Sequence, residues 1–150
     1  MRFTLDSNIL VRAVTSPRGP ALRVLDLVLE SHVLVLSRFI LDEVERVLLY
    51  PRIQARYRIT AEEAGRFTES LASSAHLVEP EIVRQVIVAD PDDDPVLYTA
   101  ADGRAEVLCT CNTRHFSTPA VQSFCDEHRI RIMTDLEVIR EWAHRPGNLI

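Results

Sequence analysis

A chain of 150 residues, 47% apolar and 26% charged, is sized for one domain with its own core. Its net charge of −5 excludes binding nucleic acid through bulk positive charge, though not an enzyme that holds nucleic acid at one groove. No run nears the roughly 20 apolar residues of a membrane span, no signal-peptide pattern opens the chain, and three cysteines make no disulfide framework; the expectation is a cytoplasmic protein.

Residues 2–5 are apolar enough for a short buried strand. Ser7 is a candidate cap for a helix over 8–14, and 16–20, rich in Ser, Pro and Gly, is a loop. Leu22, Leu25, Val28 and Leu29 recur at helical spacing within 21–31. A second buried strand is expected at 33–36. Ser37 then caps a helix carrying Ile40, Leu41, Val44, Val47 and Leu48, which Pro51 ends. Thr60 and Glu63 have the spacing of a capping box for a helix to about Ser74. A brief extended piece covers 77–79. Asp90-Pro91-Asp92-Asp93-Asp94-Pro95 is an acidic loop that opens a helix over 95–103, with proline in its first turn. A strand at 107–110, a helix at 119–128, a strand at 130–133 and a helix from Thr134 to 143 follow. Trp142, with Val138 and Ile139, should pack that last helix on the core. Strands alternating with helices predict an α/β fold, a parallel sheet covered on both faces. The expectation is one domain over 1–144 and a short tail at 145–150.

Four polar features fall at strand ends or helix starts: Asp6 after the first strand, Glu43 in the helix after the second, the acids at 90–94, and Asn112 with Thr110 after the strand at 107–110. Each has an ordinary structural explanation. Carboxylates at helix N-termini are favoured by the helix dipole and by capping, Glu43 lies at the margin of an apolar stripe, and Asn suits turns. Asp6 is the exception, because a charge at the end of a buried strand is costly unless it is paired or holds a metal. In an open α/β sheet all four would gather outside the carboxyl ends of the strands, where such folds bind ligands. Converging carboxylates repel unless a cation sits among them, and oxygen donors suit Mg²⁺ or Mn²⁺.

The series resembles the motifs of the PIN-domain family of nucleases, particularly its toxin–antitoxin members. Asp6-Ser7-Asn8 is similar to the opening Asp-Thr/Ser-Asn motif, Leu41-Asp42-Glu43-Val44 to the second motif, and 90–97 to the Asp-Pro-Asp-Asp segment of one branch; Cys109-Thr110-Cys111-Asn112 stands where the family often has Thr-Gly-Asp or Thr-x-Asp. The resemblance spans about residues 2–142 and implies a three-layer α/β/α sandwich that cleaves RNA with Mg²⁺ or Mn²⁺. It implies Asp6 and Asp93 as direct metal ligands, with Asp94 and Asp90 as competitors for the third acid, and Glu43 completing the acidic pocket through water or at the nucleophile. Ser7 and Asn8 would orient Asp6 or the scissile phosphate. From their position beside Asn112, Arg114 and His115 could touch substrate phosphate, or be ordinary loop residues. Asn112 replaces the fourth acid, so one tight metal is expected rather than two. An antitoxin and a homodimer are the implied partners.

Other residues support rival readings. Cys109, Cys111, His115, Cys125 and His128 offer enough donors for zinc, but no Cys-x₂-Cys pair is present. Arg46, Arg52, Arg56 and Arg58 with Tyr50 and Tyr57 form a basic, aromatic patch that could carry RNA, or be a solvated or partner face. Phosphatases and receivers with an Asp after their first strand rely on a Lys, and all 17 basic residues here are Arg. The remaining alternative is a catalytically weak PIN-like domain that binds RNA or protein.

Overall fold

The computed structural model describes residues 1–87, 90 and 93–143; Asp92 of the acidic run and the tail at 145–150 lie outside them. Among the described residues five strands, β1 (Arg2–Leu5), β2 (Val33–Ser37), β3 (His76–Val78), β4 (Val107–Cys109) and β5 (Arg131–Met133), make a sheet of order β3-β2-β1-β4-β5. Every pairing is parallel, as expected. Phe3, Leu5, Val35, Leu36, Val107 and Leu108 are wholly buried, the signature of strands covered on both faces.

Helices α1 (Ser7–Thr15) and α2 (Pro20–Ser31) connect β1 to β2, and α3 (Arg38–Leu48), α4 (Pro51–Tyr57) and α5 (Ala61–Ser74) connect β2 to β3. Helix α6 (Asp94–Asp102) leads into β4, α7 (Pro119–His128) joins β4 to β5, and α8 (Asp135–Trp142) follows β5. The chain therefore steps outward from β1 to β3, then returns to build β4 and β5 on the other side of β1. Right-handed crossovers put the helices that connect β1 to β3 on one face and α6 and α7 on the other, and α8, after β5, returns to pack on α2. Helix α6 lies across β1, β2 and β4, and its Tyr98 ring meets Phe124 of α7 at 5.0 Å. Helices α1, α2 and α8 pack together, and Trp142 of α8 meets Phe3 edge-on at 5.3 Å. The result is the α/β/α sandwich that the sequence predicted.

This topology positions the site. β1 and β4 are neighbours although a hundred residues separate them, and the strand order reverses between them. Leu5 pairs with Cys109, and the Asp6 amide donates to the Cys109 carbonyl at 2.9 Å. The next residues, Asp6 and Thr110, therefore emerge side by side at a topological switch point, where open α/β sheets bind ligands.

Local details depart from expectation in three places. Asp6, not Ser7, is the N-cap of α1, because Asp6 is the residue in extended geometry and its carboxylate accepts the Ser7 amide at 2.7 Å. Pro51 does not end a helix: α3 stops at Leu48, and Pro51 begins α4, where a missing N–H costs nothing. Helix α4 buries no residue, so no apolar period announced it. Val47 is half-buried rather than in the core, because it faces the cleft described below. At the end of α6, a Cβ on Gly103 would overlap Cγ1 of Val35, so only glycine lets the helix lie this close to β2.

Candidate active site

Asp6 leaves β1 almost fully buried, 2% exposed, and its carboxylate is held from three sides. The Ser7 amide donates to Oδ1 at 2.7 Å, the Thr110 hydroxyl to Oδ2 at 2.8 Å and the Asn8 amide to Oδ2 at 3.3 Å. Asn8 also accepts the Cys111 amide at 3.1 Å, which ties α1 to the turn after β4. Burial raises the Asp6 pKa above its ordinary value; the Thr110 and Ser7 bonds oppose this and the charge of Asp93 adds to it. A carboxylate so fixed has a set direction and a high cost of carrying its charge.

The acidic run resolves into different jobs. Asp94, 3% exposed, accepts the amides of Val86 at 3.1 Å and Ile87 at 2.9 Å, so it anchors the segment before the run. Asp93 occupies the N-cap position of α6 but makes no capping bond. Its Oδ2 instead lies 2.6 Å from Nδ1 of His115. Burial raises the Asp93 pKa, the His115 bond lowers it, and the charges of Asp90 and Glu43 raise it again. Asp90 lines the same cleft and its carbonyl accepts the Asp93 amide at 3.0 Å.

Glu43 comes from α3, whose Ile40, Leu41, Val44 and Leu48 are buried and hold the helix against the sheet. That face leaves Glu43 at the cleft margin, where its Oε2 accepts the Ser7 hydroxyl at 3.0 Å and its Oε1 pairs with Arg46 at 3.4 Å. Asn112 is exposed at the rim, with its amide donating to Thr110 Oγ1 at 3.0 Å. Asp6, Ser7, Asn8, Glu43, Asp90, Asp93 and Asn112 thus bound one cleft of about 330 Å³, walled by Val11, Arg12, Val47 and Cys111. Arg114 is exposed and does not line it. A larger hollow of about 580 Å³ beside α7 and β5 shares no residue with this cleft and has no buried carboxylate; the buried Asp6 and Asp93 line the smaller one.

Among the described residues, the donors close enough to share one cation are Asp90, Asp93 and His115, within 4.8 Å of one another. Asp6 and Glu43 face the same space from further away. The set contains no cysteine. Cys109 is wholly buried and its thiol pKa is pushed up by burial, and burial with nearby Asp126 pushes Cys125 up to about 11. Among the described residues the cysteines do not converge with His115 or His128 on a shared point, so the zinc arrangement does not form there. In the basic patch, Tyr50 and Tyr57 are exposed and the Arg56 guanidinium sits 5.4 Å from the Tyr57 ring centre.

Sequence reasoning missed Arg12 and the pairing of His115 with Asp93. Arg12 was legible in principle, because it lies four residues after Asn8 and so on the same helical face; its Nη1 donates to Cys111 Sγ at 2.9 Å. No spacing rule pairs positions 93 and 115.

These features define a parallel α/β/α scaffold with carboxylates gathered at its switch point. A sequence model of the PIN domain matches residues 2–114, and the chain belongs to the PIN-domain family. Among solved structures, a chain from the crystal structure of VapBC2 from Rickettsia felis, bound to a DNA fragment from their promoter, superposes with a TM-score of 0.57. The match covers 88% of this chain and 98% of that one at 14% identity, a likeness of fold. No curated protein matches. No helix among the described residues is long and apolar enough to cross a membrane.

Proposed function

We propose that the chain is an endoribonuclease dependent on Mg²⁺ or Mn²⁺, the toxin of a toxin–antitoxin pair, acting in the cytoplasm. The observation that carries this reading is the pair Asp6 and Asp93, two carboxylates nearly out of water that face one cleft, with the charge of Asp93 adding to the cost of ionising the buried Asp6. Charges buried in this way cost several kcal/mol unless a counter-charge joins them. Carboxylate and amide oxygens fit a hard divalent cation. Such an ion, when bound, supplies charge stabilisation for a phosphodiester transition state and acidifies water.

The chain's own residues do the rest. Asp6 and Asp93 would hold the ion. Thr110, Ser7 and Asn8 keep Asp6 from turning away, through the bonds given above. Glu43, steadied by the Ser7 hydroxyl, is placed to orient a water and take its proton. Asn112 fills the fourth position with an oxygen but no charge, which supports one tight ion. Arg12 is the cation in the cleft wall and is better placed for a phosphate than Arg114. Family membership supports the nuclease chemistry. The likeness to a VapBC2 chain supports an antitoxin partner, and the homodimer follows from the family resemblance.

The test incubates structured and single-stranded RNA with the protein in Mg²⁺, Mn²⁺ or EDTA. Cleavage should require the metal and fall by at least about a hundredfold in Asp6→Asn, the scale of losing a key electrostatic group. Cleavage that is absent, or equal in the two proteins, leaves the binding-domain alternative.

A further inference from the structure

Resting on the metal-dependent reading above, we infer that His115 is a ligand of the cation held by Asp93. The centre then has mixed nitrogen and oxygen donors and prefers Mn²⁺ over Mg²⁺. Three observations lead there. His115 Nδ1 lies 2.6 Å from Asp93 Oδ2, and Asp90 joins the pair within 4.8 Å. Asp93 stands at a helix start yet spends its carboxylate on no backbone amide. The turn that carries the imidazole is also held in place: the His115 backbone amide donates to the Asn112 carbonyl at 3.1 Å, and the next residue, Phe116, is 2% exposed and roots the turn in the core, while the ring itself stays partly open to solvent.

Ligands bonded at about 2.1 Å and set at right angles stand about 3 Å apart. The pair at Asp93 and His115 therefore needs only a small spread to admit an ion between its donors. The donor chemistry then sets the preference. Mg²⁺ takes oxygen almost exclusively, whereas imidazole is a ligand of transition-metal cations; Mn²⁺ is the most oxygen-loving of these, so of the two ions it is the one that accepts carboxylates and an imidazole together. The turn that carries the uncharged Asn112 thus supplies a different donor three residues later. The competing role for His115 is a pure ion-pair partner that orients Asp93 and never meets the metal.

Pulsed electron paramagnetic resonance on the Mn²⁺-loaded protein distinguishes the two roles, because a coordinated imidazole imprints ¹⁴N coupling on the manganese signal. The wild type should show that coupling and His115→Gln should lack it. Calorimetry should find Mn²⁺ affinity at least about tenfold weaker in His115→Gln, a loss that even an outer partner of a metal ligand can cause, with Mg²⁺ affinity little changed. Bound Mn²⁺ without nitrogen coupling in the wild type, or equal weakening of both metals in the variant, overturns the inference and leaves the nuclease reading intact. Failure of the wild type to bind Mn²⁺ at all overturns both. If His115→Gln does not fold, the wild-type spectrum alone decides.

Discussion

Asp93 and Asp94 are adjacent, and their alanine variants should separate metal binding from stability. Asp94 is 3% exposed and accepts two backbone amides, from Val86 and Ile87, whose own side chains are buried. A hydrogen bond to a charged group contributes about 1.5–3 kcal/mol, so Asp94→Ala should cost at least about 3 kcal/mol. In a domain of this length 1 kcal/mol moves Tm by roughly 2–4 °C, which predicts a fall of about 6–12 °C in EDTA. Asp93→Ala loses one bond to His115 but is freed from the charges of Asp90 and Glu43. Its Tm in EDTA should stay close to wild type. Metal reverses the ranking. At a hundred times its Kd, a ligand stabilises by about 2.7 kcal/mol, a rise of roughly 5–11 °C in this size class. Wild type and Asp94→Ala should show that rise with Mn²⁺, and Asp93→Ala should show none. Differential scanning calorimetry with and without Mn²⁺ reads all six states. Equal losses in EDTA, or a full metal shift in Asp93→Ala, would refute the division of labour between the two acids.

Two further outcomes rest on the same site. Asp6 has a folded-state pKa raised above 3.8, chiefly by burial, so the folded chain binds that proton more tightly than the unfolded chain. Its contribution is present below the ordinary value and is lost as pH rises through the folded pKa. Asp6→Asn, in which Asn remains a good N-cap, should therefore melt higher than wild type in EDTA by roughly 2–4 °C near neutral pH, about 1 kcal/mol. Melts between pH 4 and 7 should show the advantage growing with pH; a constant or shrinking gap contradicts the burial argument. Arg12→Ala should lower kcat/KM for RNA about tenfold, the scale of one charged phosphate contact, while leaving Tm and Mn²⁺ affinity near wild type. An unchanged kcat/KM would remove Arg12 from the substrate path.

The fold was legible because its signals are local. Short apolar runs alternate with helical periods, and Ser37, Thr60 and Thr134 cap their helices as the sequence predicts. Helix α4 escaped because it buries nothing, and periodicity reports only burial. The candidate residues were legible as types: Asp6, Glu43, Asp93 and Asn112 fall at strand ends and helix starts, and the structure gathers them round one cleft.

By itself, then, the sequence determined a parallel α/β chain with acids at the edges of its elements, because hydrophobic period and capping chemistry act over a few residues. Tertiary structure decided which acids meet and which are spent on the backbone. It set Asp6 beside Thr110 through the pairing of β1 with β4, turned Asp94 inward to two amides, and brought His115 to within 2.6 Å of Asp93. Those choices depend on strand order and on the burial of each carboxylate, which arise from contacts between residues far apart in the chain.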